Sequence, residues 1–116
     1  MLYFDCNAKI GQRPQKHKRT RWSTEEWLED LDLAEVAGSL VSHALAHSYD
    51  PRYGNARLHE ELKKAPGRLF PVWSILPLGQ PDWYVTGEEM LYAMEEAGVR
   101  AVRVVPGNYS LHECVM

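Results

Sequence analysis

Cysteine is nearly absent from this 116-residue chain: Cys6 and Cys114 are its two, at opposite ends and without paired spacing. That excludes a disulfide framework, and reduced thiols of a cytoplasmic protein are the expectation. No apolar run approaches the roughly 20 residues of a membrane-spanning helix. The first residues also lack the basic region and apolar core of a signal peptide. Positive charge is not in excess either. The net charge of −3 argues against a general nucleic-acid binder. What is present is ordinary: 45% hydrophobic and 25% charged residues, enough for a packed core in one domain over residues 1–116.

The informative stretch comes first. Leu2-Tyr3-Phe4 is a short apolar, aromatic run that suits a buried strand. It passes into alternation, Asp5, Asn7 and Lys9 against Cys6, Ala8 and Ile10, before Gly11 gives a sharp exit. If the strand stays extended, Asp5, Asn7 and Lys9 share one side. An apolar strand that turns polar at its C-terminal end is where α/β proteins hold their chemistry.

Those residues resemble the first strand of the amidohydrolase-related family, the TIM-barrel metal-dependent hydrolases and decarboxylases. That strand commonly reads Asp-x-His-x-His-x-Gly, with both histidines on a divalent metal such as zinc. Asp5 and Gly11 match the ends of the pattern, while Asn7 and Lys9 stand at the histidine positions. An amide is a poor zinc ligand and an ammonium is none. The resemblance therefore implies the fold and a hydrolase or decarboxylase ancestry, and no metal is expected on this chain. The phrases His43-Ala44-Leu45-Ala46, Asp50 to Asn55 and Arg68 to Trp73 are also similar to the family. Together they cover the N-terminal half of its barrel.

The rest of the chain alternates helix and strand. Arg13 to Arg21 holds five Lys and Arg residues and no acid, reading as a solvated loop or an anion site. Ser23 with Glu26 is a capping box, opening a helix whose apolar stripe is Trp27, Leu31 and Ala34 and which Gly38 closes. Ser39 to Ala44 reads as the second strand, with His43 and His47 near its end. His43 is the better candidate for contacting substrate, and His47 is expected to meet solvent. Asp50-Pro51 starts a helix carrying Leu58, Leu62 and Ala65, with Gly54 weakening its first turn. Leu69 to Leu76 is the third strand, with Pro71 near its start.

Beyond it, Trp83 and Tyr84 sit in a turn-rich loop, to line a ligand cleft, cover a barrel mouth or pack on the next helix. Thr86 and Glu89 form a second capping box before the stripe Met90, Leu91, Met94 and Ala97. Val99 to Val105 is the fourth strand. Arg103 interrupts it, either to clamp a carboxylate or to mark an exposed side.

Strand-helix units recur about every 30 residues, the size of a βαβ unit. The class is α/β, with about four parallel strands and three helices. Alternation alone leaves a half TIM barrel and a flavodoxin-like doubly wound sheet both open; the resemblance favours the half-barrel. Two functional readings follow. One is an amidohydrolase-like chain whose later metal ligands would come from a missing C-terminal half. The other is a non-catalytic small-anion-binding or assembly module without metal. The candidate cleft residues are Asp5, Asn7, Lys9, His43 and Arg103, the expected ligand is a small carboxylate, and the expected partner is a second copy or the missing half. Nucleic acid and membrane are not expected partners.

Overall fold

Four parallel strands lie side by side in the order in which the chain makes them: β1 (Tyr3–Ile10), β2 (Val36–His43), β3 (Leu69–Ser74) and β4 (Ala101–Arg103). The computed structural model describes residues 3–12 and 22–104. The basic stretch from 13 to 21 and the tail with His112 and Cys114 lie outside the described residues. Between the strands run α1 (Thr24–Leu33), α2 (Ala44–Ser48), α3 (Pro51–Leu62) and α4 (Gly87–Ala97). Right-handed crossovers that always step to the same edge put every helix on the same side of the sheet. A doubly wound sheet instead reverses its growth at a switch point, and no reversal occurs here. The architecture is a curled half-barrel of the α/β class. Three of its helices are the expected ones, and the five-residue α2 is an addition.

Local chemistry explains where the helices begin. Ser23 accepts from the Glu26 amide at 3.1 Å, and the Glu26 carboxylate accepts from the Ser23 amide at 3.3 Å, so the capping box is complete. Asp50 accepts from the Tyr53 amide at 2.8 Å, with Pro51 at the first helical position. Thr86 caps α4 through the Glu89 amide, but Glu89 reaches past it to the Val85 amide at 3.2 Å. The helices bury Leu31, Leu58, Leu62 and Met94 against Ala8, Ile10, Val41, Leu69 and Trp73 of the strands. On α4 the expected stripe holds only in part, since Leu91 is 61% exposed.

The first helix stops earlier than the glycine suggests. It ends at Leu33, and the chain reverses through Glu35, whose φ of 58° is left-handed. Gly38 instead lies inside β2, which starts at Val36 rather than Ser39. A Cβ there would lie 2.8 Å from the Arg68 carbonyl oxygen and 3.1 Å from the Phe4 ring. The Arg68 carbonyl also accepts from the Ser39 amide at 2.8 Å, so it has no room to retreat. Gly54 has a similar use: a side chain there would run into the backbone of Ala46, so the glycine lets α2 and α3 touch. β3 ends at Ser74 and β4 covers Ala101–Arg103, both shorter than expected. Pro71 sits in mid-strand, where β3 changes neighbours. β3 pairs with β2 through Pro71 and with β4 from Val72.

Two substitutions separate these roles. Gly38→Ala should cost about 1–3 kcal/mol, the usual penalty of overpacking. Glu35→Gly should leave Tm unchanged or raise it, because it removes about 1–2 kcal/mol of left-handed strain. Thermal denaturation of both variants checks this. The opposite ranking would return the helix stop to Gly38.

Candidate functional site

The half-barrel has a concave face, opposite the helices, and its character changes along the strands. Register in a parallel ladder puts paired side chains on one face. Toward the N-terminal end, Phe4 pairs with Gly38 and Leu40 with Phe70, and the Phe4 and Phe70 rings meet at 5.9 Å. Toward the C-terminal end, Lys9 pairs with Ser42, and Ser74 pairs with Arg103. Alternation on β1 adds Asn7 to that face. A polar layer of Asn7, Lys9, Ser42, Ser74 and Arg103 therefore crosses all four strands.

Within it, the Arg103 guanidinium donates to the Asn7 side-chain oxygen, joining the first strand to the last. Ser42 donates to the Ala8 carbonyl at 3.4 Å. The Ser74 hydroxyl is buried with no hydrogen-bond partner among the described residues. His47, on α2, completes the cluster. Burial and then the positive charges of Lys9 and Arg103 hold its imidazole below the usual histidine range. Three cationic or potentially cationic groups therefore converge at the C-terminal mouth. Such an arrangement can bind an anion, with Asn7 fixing the guanidinium plane.

Two expected members lie elsewhere. Asp5 does not share a face with Asn7 and Lys9. The ladder gains an extra β1 residue between the Asp5–Ser39 and Ala8–Val41 pairs, and this bulge inverts the alternation. The Asp5 carboxylate turns back to accept the Asn7 amide at 2.8 Å.

His43 pairs with Ile10 and so belongs to the helix-covered face. Its Nδ1 accepts from the Leu45 amide at 3.1 Å, capping α2. Its ring borders a cavity of about 450 Å³ between α1 and α3, alongside Trp22, Arg57 and Glu61. There Thr24 donates to Glu61 at 2.5 Å, and Lys64 bridges Glu61 and Glu25 at 2.9 and 2.8 Å. The network clasps two helices together, and its hydrogen bonds from Thr24 and Lys64 hold the Glu61 carboxyl below its ordinary range. His43 is thus a structural cap on the helix-covered face, while His47 is exposed, as expected, and lies near Lys9 and Arg103. Ser42 and Ser74 were missed. Their signal was a single hydroxyl near the C-terminal end of each apolar strand.

The donor set does not fit a divalent metal. Lys9 carries no lone pair when protonated and Asn7 is engaged by Arg103. Among the described residues no group of three or more His, Cys, Asp or Glu could hold a metal ion. No helix among them is long and apolar enough to cross a membrane. No protein-family model, curated protein or solved structure matches the chain.

The histidines give a pH dependence with a definite sign. Burial lowers His43, His47 and His59 below 6.5 in the folded chain. As pH falls through 6.5 the unfolded chain takes up protons before the folded one, so stability is lost on the acid side of that value. Tm should be constant above about pH 7 and decline from pH 6.5 downward. A Tm that holds from pH 7.5 to 5 would contradict the lowered histidines.

Proposed function

We propose that this chain is a small-anion-binding module of amidohydrolase-like ancestry, using the C-terminal mouth of the half-barrel as its site. The observation that carries the reading is the convergence of Lys9, Arg103 and His47 above a floor of two serines. Arg103 supplies a planar fork for a carboxylate and Lys9 a point charge beside it. Helices packed on the outer face hold these strands rigid, so the donors are in place before a ligand arrives. The hydrolase or decarboxylase ancestry rests on the first-strand resemblance, and the replacement of both histidine positions favours binding over metal-dependent chemistry.

A ligand that binds only the folded state stabilises it by about 2.7 kcal/mol at a hundredfold excess over Kd. Acetate and succinate should therefore raise Tm in a saturable way, more at low ionic strength than at high. Arg103→Gln and Lys9→Ala should each abolish most of that shift. No shift, or the same shift in both variants, would defeat the proposal.

A second reading, assembly, is favoured by the apolar end of the same face. Phe4 is 53% and Phe70 41% exposed there, and Leu91, Tyr92 and Val102 are exposed around α4 and β4. Open parallel edges and an uncovered sheet face invite a second copy or a further half-barrel. Burial of apolar area contributes about 25 cal/mol per Å², so a few hundred Å² amount to several kcal/mol of association. Sedimentation at low micromolar concentration should give a dimer that Phe4→Ser with Phe70→Ser converts to monomer. A wild-type monomer would remove this reading and leave the anion site intact.

A further inference from the structure

A second cavity lies on the helix side of the sheet, away from the concave mouth. It measures about 280 Å³ and lies between α3, β3 and the loop before α4, with Arg52, His59, Trp73, Trp83 and Tyr84 on its wall. Trp83 and Tyr84 are the loop aromatics, and Trp83 is buried, with 6% of its surface open. Trp83 packs edge-on to Tyr84 at 5.1 Å. Trp73 and Tyr84 are within 8° of parallel, with centroids 6.5 Å apart. Flat aromatic walls of this kind favour a planar ring.

The polar groups of the wall share one character. The Trp73 indole donates to His59 Nε2 at 2.8 Å, which leaves the neutral imidazole's proton on Nδ1, a donor. Asn55 spends its side-chain oxygen on the Ser74 amide and its NH₂ on the Ser74 carbonyl, at 3.1 and 3.0 Å. The Trp83 indole N–H is buried and has no acceptor among the described residues. With almost no accessible surface, that N–H lies behind the cavity wall, and Trp83 meets the cavity through its ring. Arg52 stands at the side of the cavity, its guanidinium 4.9 Å from the centre of the Tyr84 ring and one N–H on the Asp82 carbonyl at 3.4 Å. The aromatic cluster already holds its cation, so a second cation would be repelled.

From these contacts we infer a second ligand site, between α3, β3 and the Trp83–Tyr84 loop, for a planar aromatic anion that carries acceptors and no donors. The ring lies against the Trp73, Trp83 and Tyr84 faces. Its oxygens accept from the Arg52 N–H groups that are not spent on Asp82. The site does not depend on the concave mouth, since it uses none of Lys9, Arg103 or His47.

Benzoate and its cationic isostere benzamidine are suitable probes for the 116-residue chain, read by tryptophan fluorescence and by Tm. Benzoate should give a saturable change in both, and benzamidine should give none. Arg52→Gln, an exposed change that leaves the core intact, should weaken benzoate about tenfold, the value of a charge-assisted hydrogen bond. Trp83→Phe trims the aromatic wall and should also weaken it. Lys9→Ala and Arg103→Gln should leave the affinity within about twofold. The inference is overturned by no saturable response to benzoate, by equal response to benzamidine, or by an Arg52→Gln variant that binds like wild type. It is equally overturned if Lys9→Ala abolishes benzoate binding, which would assign the ligand to the concave mouth.

Discussion

Every crossover in this chain adds its strand to the same edge of the sheet, and most other features depend on that constraint. Because the steps never reverse, the helices gather on one side and the sheet curls away from them. Curling is what lets Arg103 reach Asn7 across a separation of 96 residues. In a flat sheet β1 and β4 would stand about 14 Å apart, three strand spacings, and no arginine would close that gap. The side-chain bond between first and last strands is thus a consequence of topology. In turn it positions the guanidinium over the polar end of the concave face.

That face is divided along its length, and the division has a physical origin in two different requirements. The N-terminal ends of β1 and β3 need bulk to support close strand approach, and Phe4 and Phe70 supply it around Gly38, where only a hydrogen fits. The C-terminal ends need no such bulk, because α2 packs beside β2 and β3 there. Small hydroxyl residues, Ser42 and Ser74, fill the middle strands there. They leave room for the long side chains of Lys9 and Arg103 from the outer two. Packing demands at one end and space at the other are enough to produce an apolar floor beside a cationic mouth.

Much of this was legible in the sequence, and what was not shares a cause. Helix starts were readable because a cap is a local event: Ser23 with Glu26, and Asp50 with Pro51, need only their own next turn. The parallel α/β class followed from alternation, and Lys9 and Arg103 from polar residues in apolar strands. The failures all involve tertiary pairing. Gly38 can stop a helix or admit a neighbouring carbonyl, and only the position of Arg68 decides which. The bulge that turns Asp5 away is visible only in the pairing of β1 with β2. The position of His47 beside Lys9 and Arg103 was hidden because α2 has five residues, too few to show a period. For Trp83 the sequence leaves a cleft, a mouth and a helix all open, because nothing local announces that α3 and β3 leave a pocket for it.

β3 connects the two faces more closely than any other element. Trp73 faces the helix-side cavity and its neighbour Ser74 faces the concave mouth, since side chains alternate along a strand. Asn55 of α3 grips Ser74 by both backbone groups, and His59, one turn further on, holds the Trp73 indole. A single helix therefore fixes the height of the strand and the orientation of its largest ring. Any shift of α3 against β3 must move the serine in one site and the tryptophan in the other together. Two small sites on opposite faces are in this way built on one rigid joint, and the hydrogen bonds of Asn55 and His59 set the geometry of both.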